Sequence, residues 1–441
     1  MPTPVFPFCS CRNVIRSKLI VSSRGKKSGG QVKKKIVLGF SGGLDTTFCV
    51  LWLRDHGFEP ICVCLDIGQS PDLAEVKRSA GLLGVTNVKI IDGKEIFANM
   101  FVAPALKANA LYQGVYPLAT ALSRPYIAKI LVDAAREEGT HYIAHGSTGK
   151  GNDQVRIEMG IRASLPNAEI VDPIRDNSLS RDYEIDFLLK RGIDLGYTRK
   201  KPYSIDQNIW GRSICAGILE DLSLPPPEAC FEWTKAPENC PDEPQTVEIE
   251  FESGLPVALD GARTPFLDLI TDLNKIGGEH GIGRIDHIED RLVGLKSREL
   301  YEAPAAIILI KAHKLLESLT LSKSSLDFKQ GVDEEYAQMI YLGNWFSLHH
   351  MDLLAYLRQN QSMVSGTIRL KLYKGNCTVV SRESANALYK PNLITYSEES
   401  EFDQRNGAAF SRMLGTESFV QASVQIPNIG NKIERLIGPA S

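Results

Sequence analysis

The chain has 441 residues, more than one average domain, so two domains with an extension are expected. Its 43% apolar and 23% charged residues are ordinary for a globular protein that buries a large core without covalent staples. A net charge of −3 argues against the basic footprint of a general nucleic-acid binder, and no apolar run is long enough to span a bilayer.

Residues 1–34 contain no Asp or Glu but carry Arg12, Arg16, Lys18, Arg24, Lys26, Lys27, Lys33 and Lys34 among serines. An acid-free, basic, Ser-containing start is the signature of an organelle transit peptide; a disordered basic tail is the alternative. From Lys35 strands and helices alternate. Ile36–Phe40 reads as a buried strand and Leu44–His56 as a helix; Pro60–Ile67 and Asp72–Leu83 repeat the pair. Val88–Ile91 is a third strand, and Arg124–Glu138 is the clearest part of a long helical region. Tyr142–His145 is a further strand and Asn152–Ala163 a helix. This alternation predicts a parallel sheet with helices on both faces, over residues 35–198. Nine cysteines, odd in number and scattered, fit free thiols, and Cys62 and Cys64 share one face of a strand as small hydrophobes.

Near Arg199 the pattern changes. Pro225-Pro226-Pro227, Pro237, Pro241 and Pro244 interrupt it, and strands such as Thr246–Phe251 and Ile368–Tyr373 follow. Helices are predicted at Pro265–Ile276 and Asp333–Arg358, making residues 199–395 a second, α+β domain. Residues 396–441 read as a polar, irregular tail.

Two Gly-rich turns follow strands: Ser41-Gly42-Gly43, and Gly146-Ser147-Thr148-Gly149-Lys150-Gly151. In a parallel sheet both open on the carboxyl edge, where ligands bind. Glycines let backbone N–H groups converge on an anion, and the following helix adds its dipole. Ser41, Thr46 and Thr47 supply neutral donors. Asp45 beside phosphate calls for a bridging cation such as magnesium, or else is an acid favouring a helix N-terminus. Neither G-x-x-x-x-G-K-[ST] nor G-x-G-x-x-G is present after the first strand.

The remaining pattern, S-G-G-x-D-[ST], resembles the pyrophosphate loop of enzymes that cleave ATP between its α and β phosphates. Downstream, HGSTGKGNDQVRIE (His145–Glu158), YSIDQNIWGRS (Tyr203–Ser213) and HGIGRIDHIEDRLVGLKSRELYEAPA (His280–Ala305) resemble the argininosuccinate synthase family. The likeness runs in order from about Lys35 to about Ser384. It implies a carbon–nitrogen ligase of arginine biosynthesis that joins citrulline to aspartate through citrullyl-AMP, releasing AMP and pyrophosphate. ATP with magnesium is then a substrate and no organic cofactor is expected; nucleic acid and membrane are not expected partners.

The likeness also implies site residues. ATP falls to Gly39, Phe40, Ser41, Gly42, Gly43, Leu44, Asp45, Thr46 and Thr47, with Leu65 at the adenine and Gly146 on the second turn. Aspartate falls to Thr148, Asn152 and Asp153. Citrulline falls to Tyr116, Asn152, Arg156, Ser204, Ser213, Glu289 and Tyr301, the guanidinium of Arg156 suiting its carboxylate. Asp45, Ser41 and Asp153 are the residues expected to carry catalysis, by positioning and charge stabilisation, with Asp45 the expected magnesium contact. His145 is expected to touch phosphate or to pack, and His280 sits in a tight turn. His349 and His350 are expected on a surface or helix face, and no histidine spacing suggests a metal site.

Two departures from the family pattern stand out. Ala121 replaces a serine that touches citrulline, and Cys215 replaces a glutamate after Ser213. The tail from Asn406 fits poorly, in a region where relatives extend an arm to a neighbour in a homotetramer. A transit-like leader on an arginine-pathway enzyme resembles the plant and algal pattern, which implies the chloroplast, with mitochondrion and cytoplasm as alternatives. An inactive adenine-nucleotide-binding paralogue is the competing reading, and a tRNA-thiolating enzyme lacks the reactive cysteines and basic surface it needs.

Overall fold

Ile36, Val37 and Leu38 are fully buried in the first strand, β1 (Lys34–Gly39), although they point to opposite faces of a sheet. Such a strand needs cover on both sides, and that requirement organises the first half of the molecule. The computed structural model describes residues 33–69, 73–85, 88–194, 196 and 203–426. The expected leader (up to residue 32), the start of the second helix at Asp72 and the junction at 198–199 lie outside the described residues.

β1 pairs in parallel with β2 (Phe58–Asp66) on one side and β4 (Tyr142–Ala144) on the other; β3 (Val88–Asp92) and β5 (Glu169–Val171) complete the order β3-β2-β1-β4-β5. Helix α1 (Leu44–Asp55) packs Phe48, Cys49 and Leu53 on the Ile36 and Leu38 face, while α2 (Leu73–Leu82) adds Val76 and Ala80. Helices α3 (Ala119–Glu137) and α4 (Asp153–Ser164) cover the Val37 face with Ala128, Leu131, Ile157 and Ile161. Helix α5 (Arg181–Leu189) lies against α1 through Ile185 and Leu188. Cys62 and Cys64 are buried in this core, as expected of small hydrophobes.

The second half holds two antiparallel sheets. One is β6 (Ser204–Asn208), β7 (Gly211–Cys215), β12 (Lys296–Glu302) and β11 (Arg284–Asp290), in the order β11-β12-β7-β6. The other comprises β8 (Gln245–Glu252), β9 (Leu255–Leu259), β10 (Ala262–Arg263), β13 (Gly366–Tyr373) and β14 (Asn376–Glu383), ordered β10-β9-β8-β13-β14. Helices α6 (Phe266–Glu279) and α7 (Pro304–Thr320) supply the apolar core beside it, with Leu269, Leu273, Ile308 and Leu309 fully buried.

The single helix expected over Asp333–Arg358 is two, α8 (Lys323–Leu342) and α9 (Leu348–Asn360). Gly343 ends α8 at φ +81°, the left-handed helix stop that glycine favours, and Ser347 caps α9 by accepting from His350 N. The tail is not irregular: α10 (Asn406–Leu414) and α11 (Thr416–Val424) are helices with Phe410, Met413, Phe419 and Val420 exposed. His350 is not on the surface. It is buried between Tyr336 OH and the Trp345 carbonyl, whereas His349 is exposed beside Glu335.

A Cβ at Gly343 would lie 2.9 Å from Arg156 Cα on α4. Gly343→Ala therefore combines left-handed strain with a backbone clash and is expected to lose roughly 1–3 kcal/mol of stability. Gly331→Ala in α8 meets nothing within 4 Å and is expected to gain up to about 1 kcal/mol. Urea unfolding midpoints of the two variants check this pair.

Candidate active site

The loops after β1 and β4 leave adjacent parallel strands whose chain connections run to opposite sides, the switch point at which such sheets bind ligands. Gly42 adopts φ +75° and approaches α2 so closely that a Cβ would sit 3.1 Å from Val76 Cα. Gly43 caps α1 without a side-chain bond, so the first-turn N–H groups stay turned toward the loop. Ser41 and Thr46 hydroxyls lie 3.3 Å apart, and Ser41 N donates to Thr46 Oγ1. A Cβ at Gly146 would fall 3.2 Å from Cys49 Sγ and 3.4 Å from the Asp45 carbonyl carbon, so glycine lets the second loop close tightly on the first.

Asp45 lies in the first turn of α1 beside Glu184 of α5. Burial, with the Asp45 charge added, pushes the Glu184 carboxyl up to about 8. The pair therefore carries one negative charge at neutral pH rather than two.

The start of α4 ties the second loop to the antiparallel half. Asn152 forgoes capping its own helix; its Nδ2 donates to Glu289 Oε1 (3.1 Å) and Tyr341 OH (2.9 Å), and its Oδ1 accepts from Leu292 N (2.8 Å). Buried Glu289 also accepts from Tyr341 OH (2.6 Å) and from Tyr301 OH. Asp153 pairs with Arg124 (2.7 Å) and Arg156 (3.1 Å). Burial alone would raise its carboxyl, but the two guanidiniums more than reverse this and bring it to about 2. Arg156 donates Nε to the Tyr341 carbonyl (2.8 Å), and its buried Nη2 has no partner. Tyr116 stacks on Tyr301 at 4.1 Å.

Strand register completes the site. Across β6, β7 and β12, Asp206, Ser213 and Tyr301 lie opposite one another, and Ser204, Cys215 and Glu299 form the next row on the same face. Ser213 Oγ is buried without a partner. Burial and Glu299 push the Cys215 thiol up to about 12, so this position is neutral.

A single cavity of about 1090 Å³ is lined by every residue expected above for ATP, aspartate and citrulline except Thr47. Thr47 is fully buried within α1, its hydroxyl without a hydrogen-bond partner, and does not line the cavity. Ala121 is buried in the core, and Thr120 lines the cavity in its stead, its hydroxyl 2.6 Å from Tyr116 OH. Arg124, Asp206, Arg291 and Glu299 also line it and were missed. A signal existed for two of them: Asp206 lies two residues beyond Ser204 on one strand face, and Arg124 one helical turn beyond Thr120.

His145 closes β4 at the cavity wall, buried, with Nδ1 3.2 Å from Asp172 and Nε2 3.7 Å from Glu158. Among the described residues no group of three or more His, Cys, Asp or Glu side chains is arranged to hold a metal ion, and no helix is long and apolar enough to cross a membrane.

A parallel sheet with two glycine loops at its switch point defines a nucleotide-binding α/β protein, here facing an antiparallel sheet lined with polar side chains. Residues 35–194 match the arginosuccinate synthase N-terminal HUP domain and residues 203–420 the arginosuccinate synthase C-terminal domain. The argininosuccinate synthase of Rubrobacter xylanophilus is 51% identical over 382 residues, covering 87% of this chain and 93% of its own. That of Halalkalibacterium halodurans is 49% identical, covering 89% and 96%, and that of Bacillus licheniformis 47% identical, covering 89% and 98%. The chain belongs to the argininosuccinate synthase family.

Burial lowers the His145 pKa, but Asp172 and Glu158 reverse this and hold it above the usual value. A raised folded pKa contributes stability that is full below the unfolded value and lost as pH rises through the folded one. His145→Gln is therefore expected to lose roughly 1–3 kcal/mol at pH 6. Thermal unfolding at pH 6 and pH 9 should show the wild-type advantage shrinking at the higher pH.

Proposed function

We propose that this chain condenses citrulline with aspartate at the expense of ATP, in two steps within one cavity. The observation that carries the reading is the shared cavity, where the phosphate-type loops of the parallel sheet face the polar row of the antiparallel sheet. In the first step the citrulline ureido oxygen attacks the α-phosphorus and the bond to pyrophosphate breaks, giving citrullyl-AMP. The uncapped N–H groups of α1 and the Ser41 and Thr46 hydroxyls suit the departing pyrophosphate. In the second step the aspartate nitrogen, as the free amine once its ammonium proton has passed to solvent, forms a bond to the ureido carbon, and AMP leaves with the ureido oxygen.

Arg156, with one buried donor unpaired, suits the citrulline carboxylate. Glu289, stacked Tyr116 and Tyr301, Ser204 and Ser213 surround the rest of that substrate. Thr148 and the second loop suit a carboxylate of aspartate, and Asp153 its ammonium. With its pKa near 2, Asp153 orients that group and does not serve as a base. Leu65 suits the adenine. Asp45 would hold magnesium beside the phosphates; its place in an uncapped first turn lining the cavity fits that role. The ion, when bound, neutralises phosphate charge. The partnered Glu289 and Asp153 and the open cavity favour an active ligase over an inactive nucleotide binder.

The assay is ATP, magnesium, citrulline and aspartate. AMP and pyrophosphate should form only when citrulline is present; ADP release, or AMP formation indifferent to citrulline, would refute the reading. Asp45→Asn is expected to lower turnover by 10²-fold or more, roughly what one transition-state charge contact is worth, with unchanged circular dichroism. A near-normal rate would make Asp45 a helix-end residue only.

We also propose a homotetramer in which the C-terminal arm packs on a neighbouring copy. Phe410, Met413, Leu414, Phe419, Val420 and Val424 are exposed on α10 and α11, and such a run of apolar side chains marks an interaction surface. Removing residues 396–441 should shift the protein to a smaller species in sedimentation; an unchanged assembly would exclude the arm from the contact.

A further inference from the structure

Aspartate carries two carboxylates and one ammonium group. The second glycine loop suits one carboxylate and Asp153 the ammonium, which leaves the other carboxylate without a cation. Resting on the ligase reading above, we infer that Arg291 receives this second carboxylate and selects a dicarboxylate co-substrate.

Arg291 sits in the turn between β11 and β12, where its N–H donates to the Leu295 carbonyl (2.8 Å). A turn residue with a long charged side chain ordinarily reaches into water. Here the side chain is only 20% exposed and folds inward to line the cavity. Its Nη1 donates to the Lys150 carbonyl (3.3 Å), in the very loop that suits the first carboxylate. The turn is fixed over that loop, because Leu292 N donates to Asn152 Oδ1 (2.8 Å).

Apart from Lys150, the other cations on the cavity wall are committed, assigned to the citrulline carboxylate (Arg156) or lie elsewhere. Arg124 holds Asp153 and Asp206. Arg298 holds Asp286 with two nitrogens and donates to the Leu224 carbonyl. Lys296 pairs with Asp290. Arg181 lies at the phosphate end beside Glu184. Lys150 is the competitor, an exposed side chain on the loop itself.

Arg291 has five N–H donors in a planar fork. One reaches Lys150 and one reaches Glu299 Oε1 at 2.7 Å. Glu299 thus stands where a substrate carboxylate would bind. It is a weak holder of that place: burial and nearby Glu289 raise its carboxyl against the pull of Arg291. Cys215 beside it is a neutral thiol, so this position adds no anion to Glu289 and Glu299.

The test is the Michaelis constant for each of the three substrates. Arg291→Gln is expected to raise the aspartate KM roughly 10–100-fold, the loss of one or two charge-assisted hydrogen bonds, and to leave citrulline and ATP within about twofold. Arg291→Lys keeps the charge but not the fork and is expected to fall between. A role limited to holding the turn would raise all three constants together, and that outcome overturns the inference. So does an unchanged aspartate KM in Arg291→Gln, or an aspartate-only effect that appears in Lys150→Met and not in Arg291→Gln. If Arg291→Gln shows no turnover, Arg291→Lys decides: an aspartate-only rise supports the assignment, and a flat response overturns it. Absence of citrulline-dependent AMP in the wild type is a separate failure, that of the ligase reading.

Discussion

The side-chain amide of Asn152 joins the two halves of the molecule at the wall of their shared cavity. Asn at the start of a helix ordinarily caps it. This one turns both donors and its acceptor outward, to Glu289, Tyr341 and the Leu292 N–H, all from the antiparallel half or α8. The helix loses a cap worth about 1 kcal/mol. In return a buried carboxylate, Glu289, gains the last of three donors; a buried charge left short of donors is penalised by more than a missing cap. The exchange also sets distance. Asp153 and Arg156 follow Asn152 on α4, so anchoring Asn152 to β11 anchors them too.

Arg156 shows how far that anchoring reaches. Its Nε bonds to the Tyr341 carbonyl at the end of α8, its guanidinium lies over the Tyr341 ring at 4.5 Å, and Gly343 lets the chain turn away immediately afterwards. The helix stop at Gly343 is thus part of the site's geometry, not only of the fold. With Nε and Nη1 held, the remaining Nη2 is fixed in direction before any ligand arrives. Little rotamer entropy is left to lose on binding.

The parallel half was largely legible in the sequence because burial on both faces makes its strands continuous apolar runs, and glycine turns punctuate them. The antiparallel half was legible as strands but not as a site. What matters there is register: Ser213 opposite Asp206 and Tyr301, and Cys215 opposite Ser204 and Glu299, residues far apart in the chain. Short motifs located Ser204, Ser213, Glu289 and Tyr301 individually; pairing alone brings Asp206 and Glu299 into the same rows. The join inside Asp333–Arg358 was missed because apolar residues recur on both sides of the break, although Gly343 is the left-handed stop that separates the two helices. The apolar side chains of α10 and α11 were missed for the opposite reason. Their apolar side chains are exposed in the described chain, so a tail with many polar residues read as irregular.

Charge balance explains why the cavity tolerates so many acids. Glu289 is solvated by three neutral donors, Asp153 and Asp206 are paired with Arg124 and Arg156, and Glu184 is protonated beside Asp45. Each carboxylate is handled by a different device, and none shares its cation with a neighbour outside the Asp153–Arg124–Asp206 group. That separation matters for a reaction that brings in anions at both ends. On the proposed reading, phosphates enter over the first loop and amino-acid carboxylates over the second. A cavity whose acids shared one mobile cation would lose that compensation whenever a substrate carboxylate drew the cation away. Here each arginine beside Asp153 has a second partner, Asp206 for Arg124 and the Tyr341 carbonyl for Arg156, and the neutral Cys215 removes the acid that the family pattern would put next to Glu299.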